Sequence, residues 1–498
     1  MEFSNRLSYT YLSIHFLFTT FVSGCVSKLD YQKPNIPIAT DWTSFYERPK
    51  STSFSHKLVT DLNGWGKLLQ DPLLEAWIQK FQTYNLDLKL AALHILELRT
   101  TYNIAEKELY PHLQTRGQAA KQQQSLNSPV RINLPPAFTS GSSRKNHLFQ
   151  IGFDAQWELD LFGAIGNAKQ ASLKEIYGAL ASQQDLRATL LAELINSYIT
   201  MRSLQQQISI HKQHSEVQEE TLILAKAKLR SGLISELDVL QSEAQLAMTY
   251  AQLPALQKLY DSCIYRIATL LKENPKQVTE QLHCNKNKET IQSWWLTPEW
   301  VIPIDTPSEV LRRRPDIRKA EYELAAATAR TQAAIADFFP HFSLIGSIGQ
   351  LGSHHDQILQ SNSSFWSFGP SVNWSLLDFG RVRIKVNVHK IRQEAALVRY
   401  EQVIYKALEE VENRLTNYSY TKTKVSSLEK AVDANNRSLK LAKELYSQGI
   451  LPFLNVLEAQ NNFLNSHLSL VQSQTEIWIN LVSLAKALGP QLPSTEEE

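Results

Sequence analysis

Few residues of the 498-residue chain have a type and spacing that could support chemistry. His354 and His355 are adjacent and could bind a metal ion, but no further ligand accompanies them, so we interpret them as solvated loop residues. Cys263 and Cys284 could form a disulfide in an oxidising compartment or remain unpaired, and the sequence leaves both open. No phosphate-binding loop, nucleophile elbow or paired-cysteine metal motif occurs. The sequence therefore predicts no catalytic residue, no cofactor and no metal site, and we do not expect an enzyme.

A run of three arginines, Arg312 to Arg314, precedes Pro315 and Asp316. An anion site is one interpretation of this run, and a solvated or interhelical ion-pair role is the one we favour. Pro315 and Asp316 are typical of a first helical turn, which predicts a helix running to Asp337. Over the whole chain, 51 basic and 49 acidic residues nearly cancel, so composition gives no reason to expect a nucleic-acid partner.

The N-terminus has the pattern of a targeting segment. Arg6 is followed by a short apolar stretch, Leu12 to Val22, which ends in Val-Ser-Gly-Cys25. Small residues leading into a cysteine resemble the bacterial lipobox, in which the signal is removed and the cysteine receives a diacylglycerol and palmitate-type acyl chains. We expect a signal peptide over residues 1–24, acylated Cys25, and a lipidated extended segment over 25–60. An ordinary cysteine following a signal peptide is the alternative.

The second half of the chain resembles the first. The segment starting at Gly449 matches the one starting at Gly232, 217 residues earlier, and Trp374 matches Trp157 at the same offset. Phe339-Pro340-His341 matches Tyr110-Pro111-His112 at an offset of 229. We predict two structural copies, residues 61–273 and 308–489, separated by an irregular equatorial segment (274–307) and followed by an acidic tail (490–498).

Each copy contains two segments in which apolar and polar residues alternate, at 111–159 and 340–376. Trp366, Phe368 and Val372 alternate with Ser367, Gly369 and Ser371, which is typical of a strand with one lipid-facing side. A soluble sheet with one wet face is the alternative. If the strands span a membrane, several chains must share one barrel, because four strands cannot close and an open edge cannot lie in lipid. We predict an aromatic girdle at the membrane boundaries formed by Trp157, Phe365, Trp366 and Trp374.

Long helices are predicted between the strand pairs. The segment from Asn167 to Ser231 lacks proline and contains one glycine, and that from Arg381 to Gln448 lacks both. Helices of this length reach roughly 100 Å, which suits a space to be crossed better than a globular core. Gly232 and Gly449 follow them and predict the turns at the helix tips. No run of 18 apolar residues occurs, which argues against a helical membrane span.

Together these features resemble the TolC-type outer-membrane efflux family and its NodT-type lipoprotein branch. The resemblance covers residues 60 to 490 and rests on motifs that occur in family order: Arg313–Glu321, Phe339-Pro340, Trp157–Gly163, Leu377–Arg381, Gln252–Leu256 and the two glycine turns. It implies a mostly helical homotrimer in the outer membrane, anchored in its lipid, in which four strands per chain build a twelve-stranded barrel above a periplasmic helical coiled-coil tunnel. It further implies an adaptor protein and an inner-membrane pump as partners, and small molecules as cargo.

The same resemblance implies a gate at the periplasmic tip of the tunnel, formed by Asp238, Tyr446, Asn455 and Glu458. Asn455 stands where the family often has an acidic residue. A ring of carboxylates would attract cations, whereas the alternative is that Asp238 and Glu458 only solvate helix ends.

Two other functions remain open at this stage. The chain could be the outer-membrane conduit of a type I protein secretion system, since nothing in it names the cargo. It could also be a non-conducting, lipid-anchored spacer, although a spacer does not account for the four amphipathic strands.

Overall fold

A computed structural model describes residues 32–34, 36–37, 39, 41–42, 63, 67, 69, 71–123, 145–284, 306–358 and 360–489. The predicted signal peptide, Cys25 and the acidic tail lie outside the described residues, as do most of 25–60. The described helices are α1 Pro72–Tyr84, α2 Leu86–Lys107, α3 Ala164–Arg230, α4 Glu236–Leu271, α5 Pro275–Cys284, α6 Pro307–Arg313, α7 Pro315–Ala336, α8 Arg381–Ser447 and α9 Phe453–Ala487. The strands are β1 His112–Gln123, β2 Lys145–Glu158, β3 His341–Gly352 and β4 Ser364–Asn373.

The chain divides into two compact units. The sheet unit comprises residues 32–34 and the described residues within Leu96–Tyr177 and Glu321–Val398. The helical unit comprises those within Asn35–Ile95, Gly178–Ala320 and Arg399–Glu498. None of the described helices is both long and apolar enough to cross a lipid bilayer.

The strands of the sheet unit form one antiparallel sheet in the order β1-β2-β3-β4. Residues directly opposite each other share a face, and one such row runs Thr115, Phe153, Ile348, Trp366 across all four strands. Apolar side chains on that face are exposed to an unusual degree for a folded protein: Leu113, Ile151, Phe153, Trp157, Ile348, Trp366, Phe368 and Val372. The alternation predicted from the sequence is therefore present.

The opposite face of the sheet is mainly polar. The hydroxyls of Ser347 and Ser367 lie 2.6 Å apart across β3 and β4, and Arg116 forms an ion pair with Asp154 at 3.4 Å across β1 and β2. The register places further polar side chains beside them: Gln114, Gln118, Gln150, Gln156, Ser343 and Ser371. Ile345, Leu351 and Phe365 are apolar exceptions on this face.

The helical unit has a core made by four long helices and α1. Its most deeply buried side chains include Trp77 and Phe81 of α1, Leu194 and Ile195 of α3, Ile267 and Leu271 of α4, Val411 and Leu415 of α8, and Leu481 and Leu484 of α9. The helix bounds at 164–230 and 381–447 confirm the two long helices expected from the scarcity of proline and glycine. Helix α4 continues through Pro254.

One part of the segment expected to be irregular is helical. Residues Pro275–Cys284 form α5, since Pro275 suits a first helical turn and Asn274 accepts a hydrogen bond from the backbone N–H of Lys276 at 3.0 Å. Val278 and Leu282, four residues apart, pack against the core. A helix of 10 residues is short enough for this spacing to be missed in a proline-rich context.

Candidate functional site

Two tryptophans at one end of the sheet make equivalent hydrogen bonds. The indole N–H of Trp157 donates to the carbonyl oxygen of Leu109 at 2.9 Å, and that of Trp374 donates to the carbonyl of Phe338 at 3.1 Å. The carbonyl of Leu109 lies just before β1, and that of Phe338 lies just before β3. An indole that keeps one polar hydrogen bond and exposes its apolar ring is suited to a membrane–water boundary.

The other two predicted girdle residues lie on opposite faces. Trp366 is 78% exposed and belongs to the apolar face, near the end of β4 remote from Trp374. Phe365 belongs to the polar face, where its ring edge lies 3.0 Å from the position that a Cβ on Gly349 would take. The prediction for Phe365 therefore needs correction, because strand alternation directs it away from the side that Trp366 occupies.

The two helix tips have the same backbone geometry. Gly232 and Gly449 adopt φ values of +68° and +75°, which favour glycine. After α3, the N–H of Leu233 donates to the carbonyl of Lys228 at 3.0 Å, and after α8 the N–H of Ile450 donates to the carbonyl of Leu445 at 2.9 Å. Both tips are thus Schellman motifs, which satisfy the last helical carbonyls.

Of the four predicted gate residues, Asp238 and Tyr446 lie close together. Asp238 accepts a hydrogen bond from the backbone N–H of Ser235 at 3.2 Å and completes a capping box at the start of α4. The ring centres of Tyr446 and Phe453 lie 5.3 Å apart, and the ammonium of Lys228 lies 3.9 Å from the centre of the Tyr446 ring. Burial and the nearby charge of Asp238 raise the pKa of the Tyr446 hydroxyl, which has no hydrogen-bond partner among the described residues.

The remaining two gate residues, Asn455 and Glu458, are exposed on α9. Their neighbours Val456 and Leu457 are buried in a cluster with Phe453 and Tyr446. Of the four predicted gate residues, Tyr446 is therefore packed in this cluster and Asp238 caps the start of α4, whereas Asn455 and Glu458 lie on the exposed side of α9.

One arginine of the run, Arg314, forms interhelical ion pairs, which is the role favoured from the sequence. Buried Arg314 donates to both carboxylate oxygens of Asp316, at 3.1 and 2.8 Å, and to Glu410 at 2.8 Å. Its third contact is the carbonyl oxygen of Ala487 at the end of α9, at 2.8 Å. Arg314 thus ties three helices together and caps one of them.

The residues singled out for possible chemistry show no reactive arrangement. Cys263 has a free thiol whose pKa is raised by burial, which makes it a poor nucleophile. His354 and His355 are exposed, and the ring of His355 meets that of Phe149 edge-on at 6.4 Å. Within the described ranges, no group of three or more His, Cys, Asp or Glu residues is placed to hold a metal ion.

Sequence reasoning missed a layer of polar side chains inside the helical unit. His211, His214 and Gln218 of α3 and Gln460 of α9 are all buried. Burial, with the charges of His211 and Lys443, lowers the pKa of His214 to about 4. The spacing of 211, 214 and 218 on one helical stripe was the available signal, because a stripe at steps of three and four faces a core.

Comparison with known proteins identifies the chain. The sequence pattern described as "Outer membrane efflux protein" matches residues 77–271 and 306–490. The chain belongs to this family. It is therefore an outer-membrane channel component of an efflux system, which confirms the family expected from the sequence.

Several known proteins are similar to this outer membrane efflux protein over nearly its whole length. It is 27% identical to the toluene efflux pump outer membrane protein TtgC of Pseudomonas putida over 477 residues, covering 95% of this chain and 94% of TtgC. It is 26% identical to Nodulation protein T of Rhizobium leguminosarum, covering 94% of each chain. Its structure resembles that of the outer-membrane channel OprN with a TM-score of 0.78 and 30% identity, covering 92% of this chain and 98% of that one.

Proposed function

We propose that three copies of this chain form one closed duct, with a twelve-stranded barrel in the outer membrane and a helical tunnel in the periplasm. The observation that carries the proposal is the four-stranded sheet, which has one exposed apolar face and one polar face. Its edge strands are β1 and β4. Lipid would cover the apolar face, and the polar face would line the lumen. The unpaired edges require neighbouring copies, since a bilayer provides no hydrogen bonds to an open edge.

Cys25 is proposed as the lipid anchor. Because a single acyl chain holds only weakly, the several chains of a bacterial lipoprotein are needed for stable attachment. Cys25→Ala should remove labelling by a palmitate analogue, while Cys263→Ser, the matched control, should leave it intact. Labelling that persists in the Cys25→Ala protein contradicts this assignment.

Asp238, Tyr446, Asn455 and Glu458 are proposed as the gate at the periplasmic end of the duct. The support is the packing of Tyr446 against Phe453 and Lys228 and the effect of the Asp238 charge on the Tyr446 hydroxyl, together with the exposed carboxylate of Glu458 on α9. A three-fold ring of these carboxylates raises the local cation concentration. Glu458→Lys should therefore lower the preference of the pore for cations. Glu280→Lys, an exposed residue of α5, is the control, and equal effects of the two changes would contradict the gate.

We infer that the cargo is small molecules delivered by a periplasmic adaptor and an inner-membrane pump. The support is the similarity to a toluene efflux protein over 95% of this chain. A photo-crosslinking residue at Leu451, next to the second helix tip, should capture an adaptor in cells of the source bacterium, and one at Trp366 on the apolar face should not. A proton-driven pump that co-purifies would support small-molecule efflux. An ATP-driven translocator would favour type I protein secretion, and capture of peptidoglycan alone would favour a spacer.

A further inference from the structure

The two β-hairpins of the sheet unit have the same register once the sequence offsets are applied. His112 faces Gln156 across β1 and β2, and His341 faces Asn373 across β3 and β4. His341 follows His112 by 229 residues, and Asn373 follows Gln156 by 217, which are the offsets of the sequence repeat. The indole hydrogen bonds of the two hairpins are related by the same offsets, because Trp374 follows Trp157 by 217 residues and its acceptor Phe338 follows Leu109 by 229. Equivalent residues therefore occupy equivalent places in the two hairpins.

The junction between the hairpins, from β2 to β3, is visible within one chain. Asp154 faces Ser347 across it. Beyond the strand ends, the rings of Phe162 and Phe339 stack with their centres 4.6 Å apart and nearly parallel. Both rings are half-buried by this contact. The two hairpins are thus held together by the β2–β3 strand pairing and by an aromatic stack beyond the strand ends.

The residues equivalent to the two stacked rings lie next to the outer strands, β4 and β1, and are exposed. Phe379 is the counterpart of Phe162, and Tyr110 is the counterpart of Phe339. Phe379 is 96% exposed, with a φ of +53° that is uncommon for an aromatic residue, and Tyr110 is 58% exposed. A nearly bare aromatic ring in a strained backbone conformation is costly unless a partner covers it.

We propose that β4 of one copy pairs with β1 of a second copy in the register of the β2–β3 junction, and that Phe379 of the first copy stacks on Tyr110 of the second. Asp154 faces Ser347 in the internal junction, so the offsets place Ser371 of the first copy opposite Gln118 of the second. In the same way, the pair of Trp157 and Leu344 places Trp374 of the first copy opposite Thr115 of the second. This inference rests on the proposed barrel and specifies its intermolecular contacts. The interface repeats the internal junction, so one type of contact closes the whole ring.

Disulfide trapping between copies tests the register. Directly opposed residues have Cα atoms about 4.5–5.5 Å apart, within reach of a disulfide, whereas diagonal neighbours are about 7–8 Å apart. In a Cys263→Ser, Cys284→Ser background, Ser371→Cys with Gln118→Cys should form covalent oligomers on oxidation. The matched controls combine Ser371→Cys with Arg116→Cys or with Ala120→Cys, which shift the pairing by two residues on the same face.

The result expected is cross-linking at residue 118 at least several-fold above that at 116 and 120. Stronger cross-linking at either control position would overturn the proposed register while leaving the shared barrel intact. Absence of any oligomer in the unsubstituted protein, measured by native mass spectrometry, would instead contradict the proposed function.

The aromatic contact has a separate test. Phe379→Ala and Tyr110→Ala should each lower the temperature at which the oligomer dissociates, and the double variant should lower it no further than the stronger single change, because both remove one stack. Additive losses would overturn the contact. Leu377→Ala, which removes an exposed apolar side chain two residues from Phe379, controls for loss of surface area alone.

Discussion

Gly152 faces Gly349 across β2 and β3 at a point where the two backbones approach very closely. A Cβ atom on Gly152 would lie 2.6 Å from the carbonyl oxygen of Ile348, and one on Gly349 would lie 2.5 Å from that of Ile151. Both contacts are with backbone, so neither can be relieved by turning a side chain. The pair therefore fixes how tightly the two hairpins join.

Gly152→Ala should impair assembly of the sheet, because the added methyl group forces β2 and β3 apart. Gly117→Ala is the matched control, since nothing lies within 4 Å of a Cβ at that position of β1. The measurement is the yield of heat-resistant oligomer in the outer membrane. Equal yields from the two variants would contradict the close approach.

Phe368→Arg should destabilise the membrane-inserted state, because Phe368 is 70% exposed on the face that we assign to lipid. An arginine near the middle of the bilayer costs about 2–4 kcal/mol in transmembrane barrels. Ser367→Arg, the next residue on β4, should cost much less because it would enter the lumen. Unfolding by guanidinium in lipid vesicles measures both, and a greater loss for Ser367→Arg would reverse the assignment of the faces.

Arg314→Ala should strongly destabilise the helical unit, because it leaves Asp316 and Glu410 without their shared cation and the carbonyl of Ala487 without a donor. Removing one partner of a buried ion pair costs about 3–5 kcal/mol. Arg314→Lys should recover only part of this loss, since lysine cannot form the two-pronged contact with Asp316. Arg312→Ala, at an exposed position in the same run, should change stability by less than about 0.5 kcal/mol. The free energy of unfolding of the three variants is measured by urea denaturation followed by circular dichroism.

The buried His214 predicts a loss of stability in acid. Its pKa falls from 6.5 to about 4 on folding, chiefly through burial. Between these two values the unfolded chain binds more protons than the folded chain, so stability decreases as the pH falls from 6.5 towards 4. The full effect is about 3 kcal/mol. His214→Gln should flatten this dependence in urea denaturation, and His283→Gln, at an exposed site of α5, should preserve it. An unchanged pH profile in His214→Gln would contradict the assignment.

The sequence allowed most elements to be predicted where the signal is local. Gly232 and Gly449 could be placed at turns because their positive φ values need glycine, and Trp366 and Phe368 could be assigned to one face because strand side chains alternate. Phe365 was misplaced because it was chosen for its aromatic character and not for its position in the alternation.

Contacts between distant parts of the chain could not be predicted. Arg314 bonds to Glu410 and Ala487, which lie 96 and 173 residues away, and no single-sequence pattern links them. The buried histidines differ from these contacts, because their spacing on one stripe of α3 indicates a core-facing position, although it does not show which helices cover them.

We propose that several copies of this outer membrane efflux protein form one conducting duct. The decisive measurement is the conductance of the purified oligomer in a planar lipid bilayer. The wild type is compared with Tyr446→Ala, which removes the ring packed between Phe453 and Lys228 at the tip. We expect discrete single-channel steps, larger in Tyr446→Ala than in the wild type. Bilayers that stay sealed with both proteins, although folded oligomers are inserted, would contradict it.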